Sequence, residues 1–458
     1  VNCKAFGKGF KMNPVNLEEV LNQAIEYALQ QGAESADAIV INSESLNVEC
    51  RKAQVETVMQ SHSSGLGLRV FTGKKQAVVS SNDITSKALK ELAEKAVNMV
   101  KYIPEDPYCG INEAVFTPPA FSEKEFFDSG TITVEELIER ATRCEQSALK
   151  VKGVTNIESA SASWGRSSFG IANSKGFVGA YNSSSHATSV SVIVGEGTHR
   201  QTNDDFSSTV FKKDLEAPEI IGQRAGEMAV KKLSPKKVSS QKVPVIFDPR
   251  IASQLLGYLV SAINGSNVSQ EGKSFLASSL GKNIFAKDIT IIDDPLMPKG
   301  FGSKPFDCEG TIPQKRMVVE NGVLKTWLLD LRSARKFKMA STGHGERGLS
   351  GVPCPTPTNF YIQAGQVSPK DLIGSVKKGL YLRELMGSGF NLATGDISEG
   401  ASGFWIENGE LTYPVHEITV AGNLKDLFLN MSAANDLAFK YSFNAPTLLI
   451  EGLTIAGV

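Results

Sequence analysis

Most of the local signatures that would betray an enzyme's chemistry are missing from this sequence. Its six cysteines (Cys3, Cys50, Cys109, Cys144, Cys308 and Cys354) never form a C-x-x-C pair. That spacing fits neither a zinc ribbon nor a disulfide framework, and it suits the reducing cytoplasm. No run approaches the ~20 apolar residues of a membrane span, and Val1 to Lys11 holds no apolar stretch of the signal-peptide kind. A membrane partner is therefore not expected. Basic residues number 48 and acidic residues 49, for a formal net charge of -1. With neither a basic excess nor a basic stripe, direct binding to nucleic acid is not expected either.

The familiar site motifs are absent too. Gly272-Lys273-Ser274 resembles the end of a phosphate loop, but the position that must hold its first glycine is Asn267, so the loop lacks the backbone geometry to wrap a phosphate. Gly387-Ser388-Gly389 is only a fragment of a dinucleotide pattern, and both segments read as turns. The five histidines (His62, His186, His199, His344, His416) never lie one helical turn apart, so no helix presents two imidazoles to one ion. His416-Glu417 sits in a strand-like stretch, where alternation sends the two side chains to opposite faces. No Gly-x-Ser-x-Gly elbow occurs, and Cys354 stands between two prolines without a neighbouring base. His344 and Glu346, in a loop between Gly343 and Gly348, are the one local pair resembling a site. A histidine in such a loop is ordinarily solvated. These residues define no catalytic residue, metal ligand or cofactor.

What is present is a pattern of organisation. At 458 residues the chain is too long for one compact core, and two domains are expected, 1–234 and 235–458. Helical spacing runs over Leu17 to Leu29, Thr85 to Tyr102 (with Asp83 placed to cap it), Val134 to Leu149 behind Thr133, and Pro218 to Leu233. Between the first two helices lie strand-like segments at Ala36 to Ile41, Ser43 to Val48, Leu66 to Phe71 and Gln76 to Ser80, turning at Thr72-Gly73-Lys74. Between the last two lie Thr155 to Ser163, Ser167 to Ile171, Phe177 to Tyr181 and Ala187 to Gly195, with a turn at Asn173-Ser174-Lys175-Gly176. The order repeats after about a hundred residues, as expected of a duplicated unit with helices on one face of an antiparallel sheet. The class is α+β. Ser234 to Lys242 is polar and carries Pro235, marking a boundary. Beyond it the pattern becomes β-rich: Val243 to Phe247, Ile289 to Ile292, Lys315 to Val319, Val323 to Leu329, Asn359 to Gln363, Phe404 to Ile406 and Thr447 to Ile450. Helices are expected there at Pro249 to Ile263 and Leu424 to Asp436.

An ordered series in the second half carries a family resemblance. It comprises Val319-Glu320-Asn321-Gly322-Val323-Leu324-Lys325-Thr326-Trp327-Leu328-Leu329-Asp330, Pro355-Thr356-Pro357-Thr358-Asn359-Phe360-Tyr361-Ile362, Gly379-Leu380-Tyr381-Leu382, Asn391-Leu392-Ala393-Thr394-Gly395-Asp396, Ile406-Glu407-Asn408-Gly409-Glu410 and Val420-Ala421-Gly422-Asn423-Leu424. Together these resemble the TldD/PmbA family, whose members have been described as modulators of DNA gyrase. In that family TldD-type subunits hold zinc with a His-Glu-x-x-x-His helix and a later cysteine, and hydrolyse peptides. Aligned on Gly265, the two histidine positions hold Leu256 and Ser261, and the glutamate position holds Gly257. No His, Cys or Glu lies from Ile251 to Gly265, and the later loop, Lys440 to Pro446, has no cysteine. The resemblance is thus to a TldE/PmbA-type subunit. It implies a non-catalytic partner of a TldD-type zinc metalloprotease subunit, acting on unfolded peptides, with a homodimer possible when alone. The alternative it leaves open is a homodimeric regulatory binding protein of the gyrase-modulator kind, without proteolytic role.

Overall fold

The computed structural model describes residues 17–114, 123–387 and 389–457. Cys3, the Val1–Lys11 stretch and Ser388 lie outside the described residues. The first part runs α1 (Leu17–Gln30), β1 (Ser35–Arg51), β2 (Gln54–Thr72), β3 (Lys75–Ser81) and α2 (Ser86–Val100). After α3 (Glu123–Phe126) the same order returns: α4 (Val134–Leu149), β4 (Val154–Asn173), β5 (Val178–Val194), β6 (Gln201–Thr209) and α5 (Pro218–Lys231). The six strands form one sheet in the order β3-β2-β1-β4-β5-β6, antiparallel throughout.

Alternation along the strands decides the two faces of this sheet. Ala36, Ala38 and Val40 of β1 pack with Leu21 and Ile25 of α1 and Leu89 and Ala96 of α2. Farther along, Leu46 and Val48 meet Leu137 and Ala141 of α4, while Val190 and Val192 of β5 meet Ile221 and Ala225 of α5. All four long helices therefore lie on one face. The other face, through Ile39, Phe169 and Ile171, receives Phe306 and Cys308 from the second half. Gly67 makes that approach possible: a Cβ there would stand 2.2 Å from the Leu349 carbonyl oxygen.

The second half begins with β7 (Gln241–Phe247), α6 (Pro249–Ile263), the short α7 (Gly265–Val268), β8 (Ile291–Asp293), β9 (Arg316–Glu320) and β10 (Val323–Leu324). Next come α8 (Leu331–Phe337), β11 (Gly345–Glu346), β12 (Cys354–Pro355), β13 (Phe360–Ile362), α9 (Pro369–Gly374), β14 (Lys378–Met386), β15 (Asp396–Glu407) and β16 (Glu410–Asn423). The chain ends with α10 (Leu424–Leu429), β17 (Met431–Ala433), β18 (Phe443–Asn444) and β19 (Leu448–Ala456). One sheet orders as β16-β15-β14-β7-β19-β17, and an additional pairing of β16 with β19 closes it into a ring. A second sheet orders as β10-β9-β8-β13-β18. Between them lies the largest core, to which α6 contributes Leu255, Leu256, Leu259 and Ile263. Each such side chain contributes roughly 1.5–3 kcal/mol of burial free energy.

Several expectations change in detail. Asp83 does not cap α2: Thr85 does, accepting from Ala88 N, while Asp83 accepts from Thr85 N at 2.9 Å. The paired strand segments before and after Asn42 are one continuous β1, held on both edges by β2 and β4. The helix expected to reach Asp436 stops at Leu429, because Met431 to Ala433 instead pairs with β19. The Val323 strand ends at Leu324, since Leu328 bonds to Ile263 and Gly265 in the α6 to α7 connection.

Candidate functional site

Helix α6 starts where Asp248 caps it by accepting from Arg250 N at 3.1 Å, with Pro249 in its first turn. Its apolar stripe is spent on the core. The opposite side turns Gln254, Gly257, Tyr258 and Ser261 onto an open groove of about 530 Å³, completed by Gly387, Phe390 and Glu399. Of Leu256, Gly257 and Ser261, the positions that the resemblance implies for a metal-binding helix, the structure brings Gly257 and Ser261 together in this groove. Leu256 points into the core instead, 1% exposed. Five helical positions amount to about 140° of rotation, so Leu256 and Ser261 do not share a face. The Ser261 hydroxyl donates back to the Gly257 carbonyl at 3.0 Å, a bond internal to the helix.

On the groove floor Tyr258 donates its hydroxyl to Glu399 Oε1 at 2.7 Å. Burial, and next the bond to Glu399, raise the Tyr258 phenol above its ordinary range, so it stays a donor. Its ring lies 4.8 Å from that of Phe390, tilted by 31°.

A zinc ion needs several N, S or carboxylate donors converging on one point. The groove offers one carboxylate, a primary amide and two hydroxyls. Among the described residues no group of three His, Cys, Asp or Glu side chains gathers to hold a metal. The loop from Lys440 to Pro446 is closed on itself: Asn444 accepts from Lys440 N and Tyr441 N at 2.8 and 3.0 Å and donates to Tyr441 O at 2.7 Å. The residues at α6 do not fit a zinc ion.

The same loop borders a second cavity, of about 330 Å³, at the start of α6. Its charges are largely spent on one another. Arg250 bridges Asp204 and Asp205 at 3.2 and 3.0 Å; Arg224 joins Asp205 and Glu216; Arg383 and the Tyr381 hydroxyl meet Asp248. This network ties β6 and α5 to the start of α6.

His344 is in the core rather than in solvent, 0% exposed. Its Nε2 faces Asp293 Oδ2 at 3.0 Å and its Nδ1 faces the Thr342 hydroxyl at 2.6 Å. Asp293 also accepts from Thr358 N and its hydroxyl at 2.7 and 2.9 Å. The order carboxylate–imidazole–hydroxyl is that of a nucleophilic triad. Here, however, the Thr342 oxygen is also bonded to Leu329 N and O, at 2.7 and 3.0 Å, and no substrate atom can reach it. Glu346 turns to Lys304 at 2.6 Å. His344 and Glu346 thus have separate partners. His416 and Glu417 sit where the β15–β16 register skips; Glu417 has a φ of 57° and pairs with Lys237 at 3.2 Å.

Comparison with known proteins decides the family. Residues 36–100, 127–233 and 240–457 match, in order, domain 1, the central domain and the C-terminal domain of the PmbA/TldA metallopeptidases. The chain belongs to the PmbA/TldD family. It is 34% identical to the metalloprotease PmbA of Escherichia coli O157:H7 over 445 residues, 96% of each chain. It is 32% identical to a PmbA metalloprotease homologue of Haemophilus influenzae, covering 98% of this chain and 97% of that one. A candidate modulator of DNA gyrase from Bacteroides thetaiotaomicron superposes with a TM-score of 0.84 at 28% identity, over 96% of this chain and 98% of that one. TldE from Thermococcus kodakarensis has the same fold, with a TM-score of 0.85 at 21% identity over 95% and 99% of the two chains. The family is one of metalloproteases, and this member has α+β architecture. Among the described residues no helix is long and apolar enough to cross a membrane.

Where this PmbA/TldD chain joins its two sheet systems, it buries a charge cluster that motif reading passed over. Arg69 binds Asp37 through Nε at 2.9 Å and approaches Glu309 at 3.4 Å, and Arg347 binds Asp37 at 2.7 Å. Asp307 accepts from Glu309 N, Thr311 N and Gly345 N at 2.8–2.9 Å. Burial raises both Asp307 and Glu309 above the ordinary carboxylate range; Arg69 opposes it at Glu309, and backbone N–H groups and Lys304 oppose it at Asp307. The cluster fastens β1 and β2 to the Phe306 to Arg347 region. Sequence reasoning also missed Tyr258, Phe390 and Glu399. Tyr258 adjoins Gly257 on the helix and was within reach of periodicity, whereas Glu399 lies in a strand with no local cue.

Proposed function

We propose that this chain is the non-catalytic subunit of a TldD/TldE-type metalloprotease complex that processes unfolded peptides. In this reading a TldD-type subunit holds the zinc and cuts, and this chain walls part of the peptide's path without metal or cofactor of its own. The observation that carries the reading is the groove face of α6: Gln254, Gly257, Tyr258 and Ser261 where zinc ligands would be needed. The kinship with metalloproteases PmbA supports a proteolytic setting. The 27% identity to a TldD metalloprotease homologue of Buchnera, over 56% of this chain, supports a partner of that type. The domain division at 234/235 belongs to the same reading, supported by β1–β6 forming one sheet and β7 onward the others. So does a cytoplasmic location, supported by the free state of Cys50, Cys109, Cys144, Cys308 and Cys354.

The test is co-expression with a TldD-type partner that keeps His-Glu-x-x-x-His. The expected result is a stable complex that cleaves an unfolded peptide, with activity lost when the partner's first histidine is changed and retained when Ser261→Ala is made here. Failure to associate would contradict the reading.

A second reading is a homodimeric regulatory protein without proteolytic role. It is favoured by the fold's likeness to candidate modulators of DNA gyrase from Bacteroides thetaiotaomicron and Thermotoga maritima, the latter with a TM-score of 0.83 at 25% identity. A stable homodimer that ignores the TldD-type partner and alters gyrase supercoiling would favour it.

A further inference from the structure

The groove beside α6 holds an acid that the fold leaves without a cation. Glu399 is 4% exposed, and its side chain accepts one hydrogen bond, from Tyr258 to Oε1. Oε2 makes no hydrogen bond to the protein and stays open to solvent on the groove side, and no Lys, Arg or His lies within ion-pair distance among the described residues. Two other buried acids are provided for differently: Asp37 has Arg69 and Arg347, and Asp307 has three backbone N–H groups. A largely covered carboxylate with one neutral donor is less fully compensated than these. A carboxylate placed in a cleft without a cation is free to take one from a ligand.

The surroundings say what would bind. The lining (Gln254, Gly257, Tyr258, Ser261, Phe390, Glu399) contains no basic side chain. The adjoining Tyr258 and Phe390 rings offer π-faces beside the carboxylate. On the helix, a Cβ at Gly257 would meet nothing within 4 Å, so the space continues past the backbone. One buried carboxylate beside two rings, in an open groove, is the chemistry that takes an organic cation.

We propose that this groove binds a cationic group of an extended peptide, either its α-ammonium or a lysine or arginine side chain, between Glu399 and the Tyr258–Phe390 pair. The inference rests on the reading that this chain walls a peptide path, and it gives that path a preference in charge.

Three unstructured peptides of equal length, labelled at the C-terminus, separate the sources. One has a free N-terminus and no lysine or arginine, one is N-acetylated with a single central lysine, and one is N-acetylated without a cation. Each is titrated by fluorescence anisotropy into the full chain, alone and in complex with the TldD-type partner. At least one cationic peptide is expected to bind about tenfold or more tighter than the neutral one, and the one that does identifies the source. Glu399→Gln, which keeps an acceptor for Tyr258, is expected to abolish that advantage and leave the neutral peptide's affinity unchanged. Gly257→Leu, which fills the groove from the helix side, is expected to remove the cationic advantage too and serves if the first variant does not fold. Equal binding of all three peptides, or a cation preference that survives the substitution, would overturn the groove's role while leaving the peptide-path reading intact. Absence of any peptide binding, alone or in the complex, would overturn both.

Discussion

The bond from Tyr258 to Glu399 Oε1, at 2.7 Å, joins residues 141 positions apart and closes the floor of the α6 groove. It is the sole side-chain hydrogen bond that Glu399 makes among the described residues, so the pair acts as a unit. Tyr258→Phe is expected to destabilise the protein by about 1–3 kcal/mol, because it strands a buried carboxylate. Urea unfolding would measure this. An unchanged midpoint would mean that Glu399 is adequately solvated without its partner.

Gly257 should be replaceable. It sits inside α6, and a Cβ there meets open space. Gly257→Ala is expected to raise stability by about 0.5–1 kcal/mol, the cost of glycine in a helix interior. A lowered melting temperature would show that the backbone at this point needs to stay bare. Gly67 is the opposite case, with the Leu349 carbonyl 2.2 Å from a virtual Cβ. Gly67→Ala is expected to cost more than about 2 kcal/mol, as overpacking against backbone does.

His344 is expected to matter for stability. His344→Ala leaves Asp293 and Thr342 short of a partner in a closed space and should cost about 2–4 kcal/mol. Complex-dependent peptidase activity, measured at a temperature where the variant is folded, should be unchanged. A rate loss without a stability loss would instead make His344 a site residue.

The Asp307–Glu309 cluster predicts a pH dependence whose sign follows from the shift. Burial raises Glu309 from 4.5 to about 8, so between these values the folded chain holds a proton that the unfolded chain has released. Stability from this group is complete below the lower value and is lost as pH rises through the upper one. The slope is at most about 1.4 kcal/mol per pH unit. Thermal melts across this range should fall with pH, and Glu309→Gln should flatten the fall. Melting temperatures that rise with pH in that window would reverse the assignment.

Much of the fold was legible because its signals are local. Val134 to Leu149 carries both its periodicity and its capping box, Thr133 with Glu136, and Pro249 to Ile263 is bounded by its own cap and proline. The turns at Gly73 and Gly176 announce themselves by positive φ. What could not be read depends on distant partners. Met431 to Ala433 looked helical and became strand through β19. His344 looked like a solvated loop residue and is enclosed by Asp293, 51 positions away. At the candidate site, residue types alone show that α6 carries no His, Cys or Glu. Leu256 facing away from Ser261, and Glu399 completing the groove, required the fold.

In the proposed complex this chain supplies no metal-centred chemistry of its own. The most direct test is the zinc content of the purified chain after zinc loading and desalting, together with its cleavage of an unfolded peptide, alone and mixed with a TldD-type partner. The expected result is no stoichiometric zinc and no cleavage by the chain alone, with cleavage appearing in the mixture. One zinc per chain, with cleavage by the chain alone, would contradict it.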